Sequence, residues 1–151
     1  MKSLIPAIVS NLVFLAVLLL CAGRLDYWPA WQYAAISATM SLLTRRILRE
    51  DPQLLAERAK PGPGAKGWDK RLLGFGFLLT LAMLIIAGLD AGRYHFSPRL
   101  TWPWSVAGLC LSVVGMGIFL MALKENRFFS AVVRIQSDRG HTVCTSGPYR
   151  V

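Results

Sequence analysis

The sequence predicts an all-α integral membrane fold, with four transmembrane helices and a cytoplasmic, interfacial carboxyl-terminal segment. Three observations lead there. Of the 151 residues, 54% are hydrophobic; the mean hydropathy is +0.46; and the apolar residues are gathered into runs close to the length of a membrane span. Uninterrupted runs leave no polar helix face for water, as a soluble domain would need. The whole chain, 1–151, reads as a single membrane domain.

A hydrocarbon layer ~30 Å thick, crossed at ~1.5 Å per residue, requires about 20 mostly apolar residues. Spans are expected at 4–23, 27–44, 72–89 and 102–123, and the first, third and fourth of these contain no charged side chain. The second is diluted by Gln32, Ser37, Thr39 and Ser41. It nevertheless has an aromatic belt of Trp28, Trp31 and Tyr33 at one end and the anchors Arg45 and Arg46 at the other. A competing reading makes the first span a secretory signal, with Lys2 as its charged region and "LLLCAG" as the processing site. Leu20 is a poor small-residue match there, and the run is long for a signal. Gly74, Gly76, Gly108, Ser112, Gly115 and Gly117 are the expected points of close helix approach.

Charge assigns the sides. Lys2, the eight basic residues from Arg45 to Arg71 and the five from Lys124 to Arg150 fall on one side of a four-span topology; only Arg24, Arg93 and Arg99 fall on the other. The positive-inside bias therefore places both ends and the long second loop in the cytoplasm. The net charge of +9 does not signal nucleic-acid binding, because the cations are divided by apolar runs and form no continuous basic face. Cys21, Cys110 and Cys144 are too scattered for a disulfide framework or a CxxC site, and with only His95 and His141 beside them no metal site is expected.

In the second loop, Asp51-Pro52 reads as a helix start, "LLAERAK" as a short amphipathic helix and "PGPG" at 61–64 as its end. Leu54, Leu55, Arg58, Lys60 and Trp68 suit a segment lying on an anionic leaflet, and a solvated connector fits equally well. Asp90, Arg93, His95 and Arg99 form a short polar loop, for which a structural role is favoured over proton relay.

After the fourth span comes "KENRFFSAVVRIQSDRGHTVCTSGPYRV". Phe128, Phe129, Val132, Val133 and Ile135 keep this tail near the bilayer, while Lys124, Arg127, Arg134 and Arg139 hold it at the headgroups. His141, Thr142, Thr145, Ser146 and Tyr149 supply hydrogen-bonding groups around a Gly147-Pro148 turn. Composition alone favours an ordinary surface loop over a ligand pocket.

Spacing alters that balance. "RIQSDRGHTVCTSGPYRV" resembles the approach to the cofactor site of the isoprenylcysteine carboxyl methyltransferase and phospholipid methyltransferase family of integral membrane enzymes. There, a glutamine-containing stretch leads to His-Thr-hydrophobic-x-Thr-Ser-Gly-x-Tyr and then to Arg-His-Pro-x-Tyr. "DPQLLAERAKPGPGAKGWDK", "AGLDAGRYHFS" and "MALKENRFFSAVVRIQ" are similar to the bacterial branch, so the likeness runs from about residue 50 to 151 and implies a bacterial inner membrane. It implies S-adenosyl-L-methionine as cofactor, bound at the cytoplasmic face. By the same resemblance the cofactor contacts fall to Gln136, to His141, Thr142, Val143 and Cys144 through their backbone groups, and to Tyr149, with Gly147 and Pro148 shaping the bend. The spacing from glutamine to histidine is shorter here than in the family. The family's Arg-His-Pro-x-Tyr, its later helices, its cofactor-binding glutamate and its substrate-orienting arginine are not among these residues. The chain is thus expected to be the amino-terminal part of such an enzyme, with weak or no cofactor binding of its own; methyl transfer needs an in-line, water-shielded site.

The leading expectation is a membrane methyltransferase-like protein acting on a lipophilic acceptor: a prenylated cysteine carboxylate, a lipid headgroup or a small hydrophobic compound. Membrane lipids are its expected surroundings, and no residue is assigned a catalytic role. The alternative is a non-catalytic four-helix membrane protein that binds lipid or a partner. A sterol-reductase-like enzyme is weaker, since no GxGxxG follows a strand.

Overall fold

The computed structural model describes residues 5–60, 64 and 66–150. Among these the chain is all-helical. Helices α1 (Ile5–Ala22), α2 (Trp28–Glu50), α3 (Pro52–Ala59), α4 (Gly67–Ala87) and α5 (Trp102–Glu125) follow in order. A π-helical stretch, Gly88–Tyr94, extends α4, and two 3₁₀ turns, Ser137–Arg139 and Gly147–Tyr149, punctuate the tail.

Three stretches are long and apolar enough to cross a membrane: Ile5–Ala22, Gly67–Tyr94 and Trp102–Glu125. Within their most apolar windows only 11%, 6% and 6% of the residues are buried by the rest of the chain. Leucines and phenylalanines so uncovered form a patch far larger than water tolerates on a soluble monomer, and hydrocarbon is the solvent that suits them. This is a membrane protein. Helix α2 covers the expected span from residue 28, Tyr27 lying just before it, and runs on to Glu50, with Arg45, Arg46, Arg49 and Glu50 closing it. It is not among the three strongly apolar helices. Leu4, the first residue of the expected first span, lies outside the described residues, as do Lys2 and Val151.

The chain divides into two compact units. One comprises residues 1–41 and 74–105, the other 42–73 and 106–151. In the first, α1 ends because Gly23 adopts φ +70° and its N–H bonds back to the Leu19 carbonyl at 2.9 Å, a left-handed stop that glycine accepts without strain. Leu18, Ala22, Tyr27 and Ala30 form the buried cluster there. The close approach in this unit is made by Gly88 and Gly92. A Cβ added to Gly88 would lie 2.8 Å from the Cys21 Cβ, and one on Gly92 would lie 2.5 Å from the Ala22 Cβ. By contrast, the expected packing points Gly74, Gly76, Gly108, Gly115 and Gly117 have nothing within 4 Å of an added Cβ. Gly88 and Gly92 lie in the π-helical stretch that α1 packs against, which ends on the bond from the His95 N–H to the Asp90 carbonyl at 2.7 Å, and their missing Cβ atoms allow the approach.

Residues 90–94 are thus helical rather than a loop, and their polar side chains have structural work. Arg93 donates to the Leu20 carbonyl at 2.8 Å, a second donor for a group at the end of α1 that also accepts from the Gly23 N–H at 3.2 Å. Asp90 accepts from the Ser97 N–H at 2.8 Å.

In the second unit, Leu48, Leu54 and Leu123 are buried together, with Phe119 and Phe129 against them. Helix α3 starts as Asp51-Pro52 predicts: the Asp51 carboxylate accepts from the Leu54 N–H at 2.9 Å, and Pro52 occupies a first-turn position that needs no donor. The helix stops at Ala59, one residue before Lys60 turns to extended backbone. Of the expected "PGPG" terminator, residues 61–63 lie outside the described residues.

Candidate functional site

The second unit carries the resemblance-derived residues. Beyond α5 the chain bends at Asn126, whose side chain accepts from the Phe128 N–H at 2.9 Å, and enters an extended stretch whose burial alternates. Arg134 and Gln136 point inward, 8% and 1% exposed, while Val133 and Ile135 point outward, 57% and 81% exposed. That is the reverse of a water-facing strand.

Arg134 is what the inward side is built on. Its Nε donates to Glu57 Oε1 at 2.7 Å and its Nη2 to Oε2 at 2.6 Å, a two-pronged pair with side chains 2% and 5% exposed. Asp138 takes Nη1 at 2.8 Å. These carboxylates raise the Arg134 guanidinium above its ordinary value, first by accepting its hydrogen bonds to Glu57. The bonds Arg134 donates to Asp138 in turn hold that carboxyl below its ordinary value. Ser130 donates to Glu57 Oε1 at 3.1 Å, and the Val133 N–H donates to the buried Asp69 at 2.7 Å. Arg58 donates to the Phe129 carbonyl at 2.9 Å. Helix α3 and the foot of α4 thereby fix the first half of the tail.

Each predicted site residue can then be placed. Gln136 is sealed inside: its Nε2 donates to the Phe128 carbonyl at 2.7 Å, and its Oε1 accepts from Arg139. His141 closes the loop, its N–H donating to the Gln136 carbonyl at 3.2 Å and its Nδ1 accepting from the Gln136 N–H at 3.1 Å. That bond occupies Nδ1, and Nε2 is the ring nitrogen without a bond to another residue among those described, on a side chain that is exposed. The ring stacks on Phe128 with centroids 4.8 Å apart and planes 5° from parallel. Cys144 Sγ lies 4.0 Å from the Glu125 carbonyl, and the Tyr149 hydroxyl donates to the Ala122 carbonyl at 3.4 Å. The tail therefore runs back along the end of α5, residue 141 beside 128, 144 beside 125 and 149 beside 122. Gly147, at φ +55°, permits the final turn; a Cβ there would meet the Glu125 side chain at 3.0 Å. Thr142 and Val143 are exposed, Val143 84% so. Among the described residues no backbone hydrogen bond is made by the N–H groups of Thr142 to Ser146.

The structure adds what the sequence did not flag. Glu57 and Arg134, 77 residues apart, meet, and an open cavity of about 710 Å³ lies beside them, lined by Gln53, Lys60, Arg127 and Arg139 among others. One weak signal existed. With 8 acidic residues against 17 basic ones, any acid within a basic segment is a candidate partner for a buried cation.

No protein-family model, curated protein or solved structure matches the chain. The class defined by fold and site is an all-helical membrane protein with a folded, polar tail returning along its last long helix.

Proposed function

We propose that the chain is a membrane methyltransferase-like protein of the isoprenylcysteine carboxyl methyltransferase type, with residues 141–149 forming one wall of an S-adenosylmethionine site that serves a lipophilic acceptor. The observation that carries this reading is the return of the tail along α5, which gathers His141, Cys144 and Tyr149 into one strip. The strip suits such a ligand. The open N–H groups of Thr142 to Ser146 and the Nε2 of the exposed His141 offer hydrogen-bonding groups to a carboxylate and ribose, and the half-buried Tyr149 offers an aromatic face. Gln136 enters as the group that holds the loop, since its own polar atoms are engaged inside. S-adenosylmethionine supplies the electrophilic methyl group when bound; the chain's part is to position it beside the bilayer.

In the same reading α2 is a fourth span, anchored by Arg45 and Arg46, and the tail and both ends are cytoplasmic in a bacterial inner membrane. The outward Val133 and Ile135 support a tail lying against lipid. Calorimetric titration of the purified protein with S-adenosylhomocysteine tests the proposal. Weak, saturable binding that is lost in Tyr149→Ala is expected. Binding indifferent to that substitution, or none up to millimolar ligand, sinks it in favour of a non-catalytic helical membrane protein.

A further inference from the structure

The cavity beside Glu57 and Arg134 is separate from the strip along α5. Gln53 and Glu57, one turn apart on α3, and Lys60 just past its end form one side of it; Arg127, Asp138 and Arg139 form the other. Both carboxylates are committed to Arg134, at 2.6 and 2.8 Å. The remaining cations have no such partner: among the described residues Lys60, Arg127 and Arg139 form no ion pair. Arg127 and Arg139 are moreover held together. Their guanidiniums lie 5.4 and 5.6 Å from the centroid of the same Phe128 ring, and Arg139 Nη2 donates to the Arg127 carbonyl at 3.0 Å. Two like charges held on one ring repel; the Phe128 ring and the acceptors of Arg139 ease that repulsion, but no carboxylate forms an ion pair with either cation among the described residues. Counting Arg134, four cations face two carboxylates, an excess of two positive charges around a space of small-molecule size.

We propose that this groove binds the phosphate of a phosphate ester, held by Lys60, Arg127 and Arg139. A single carboxylate leaves half of the excess charge unmatched, whereas a phosphate monoester carries about −1.5 to −2 at neutral pH and offers three oxygens to three cations. Guanidinium forks suit those oxygens, and the Lys60 ammonium adds a point charge. The ester is either an anionic lipid headgroup or a soluble phosphate compound. None of its three cations is a predicted cofactor contact, although Arg139 also bonds the Gln136 side chain, so the inference needs no cofactor to be bound.

The test uses the full chain in a neutral detergent, titrated calorimetrically with dihexanoyl phosphatidic acid, glycerol 3-phosphate and dihexanoyl phosphatidylcholine. Saturable binding of the first two with equal affinity identifies a soluble phosphate as ligand. Binding of phosphatidic acid at least about tenfold tighter identifies a lipid headgroup. In either case Lys60→Gln/Arg127→Gln, which changes two exposed side chains, lowers affinity at least about tenfold. The equal loss of charge in Arg24→Gln/Arg99→Gln leaves it unchanged. Should the first double variant not fold, Gln53→Glu places a carboxylate on the groove wall and weakens binding instead. The proposal is overturned if neither phosphate ligand binds, if phosphatidylcholine binds as tightly as phosphatidic acid, or if the groove variants bind as the parent does.

Discussion

Arg134 grips Glu57 with two hydrogen bonds of 2.7 and 2.6 Å, and the pair, 77 residues apart, is almost wholly shielded from water. Removing one partner of such a pair leaves a buried charge without its counter-ion, which is worse than never having had the pair. Glu57→Gln keeps the shape of the side chain and one acceptor, but not the charge. Hydrogen exchange across residues 130–141 is expected to accelerate by on the order of tenfold or more. Unchanged exchange there would show that the tail is held by other contacts.

The acid limb of stability follows from Asp138. The hydrogen bonds from Arg134 lower its carboxyl below the ordinary value, so the folded chain favours the carboxylate. A depressed acid contributes stability that is complete above its unfolded value, about 3.9, and is lost as pH falls through the lowered one. Protection of the tail, corrected for intrinsic exchange, should hold from pH 8 to 5 and weaken below about pH 4, with that limb reduced in Asp138→Asn. A decline already complete by pH 6 would assign the titration to another group.

Helix α3 offers two substitutions of different kind. Asp51→Ala removes the cap on Leu54 N–H and should cost about 1 kcal/mol, as fraying of the first turn. Leu54→Ala empties a site only 2% exposed beside Leu48 and Leu123 and should cost about 2–5 kcal/mol. Thermal unfolding in detergent ranks them, and the reverse order would contradict the packing described.

Glycine contacts give a paired test. Gly92→Leu must displace Ala22, whose Cβ lies 2.5 Å from the new atom, and a loss of about 1–3 kcal/mol or more is expected. Gly115→Leu enters open space and should change stability within about 0.5 kcal/mol. Equal losses from the two would mean that α5 packs where the structure leaves it uncovered.

Much of the site was readable one residue at a time, and little of it as an arrangement. The Gly147-Pro148 turn and the hydrogen-bonding residues around it were visible in the motif, and the turn forms. That Gln136 would be enclosed and Thr142 exposed was not visible, because both are polar residues in a polar stretch; their burial depends on where Phe128 and Arg139 lie. The cationic groove was hidden for a similar reason. Its two sides come from segments about 70 residues apart, one read as a leaflet-lying or solvated connector and the other as an interfacial tail, and neither alone shows the groove.

What the sequence determined by itself was local: the apolar runs that become α1, α4 and α5, the Asp51-Pro52 start of α3, and the Gly147-Pro148 turn. These depend on hydropathy, capping and backbone freedom over a few neighbouring residues, so they can be read in order along the chain. Only the tertiary structure decided that Glu57 meets Arg134, that Gly88 and Gly92 rather than Gly115 receive a neighbouring helix, and that the tail doubles back on α5. Charge pairing and close approach are set by distances between segments remote in sequence, which residue type and spacing do not encode.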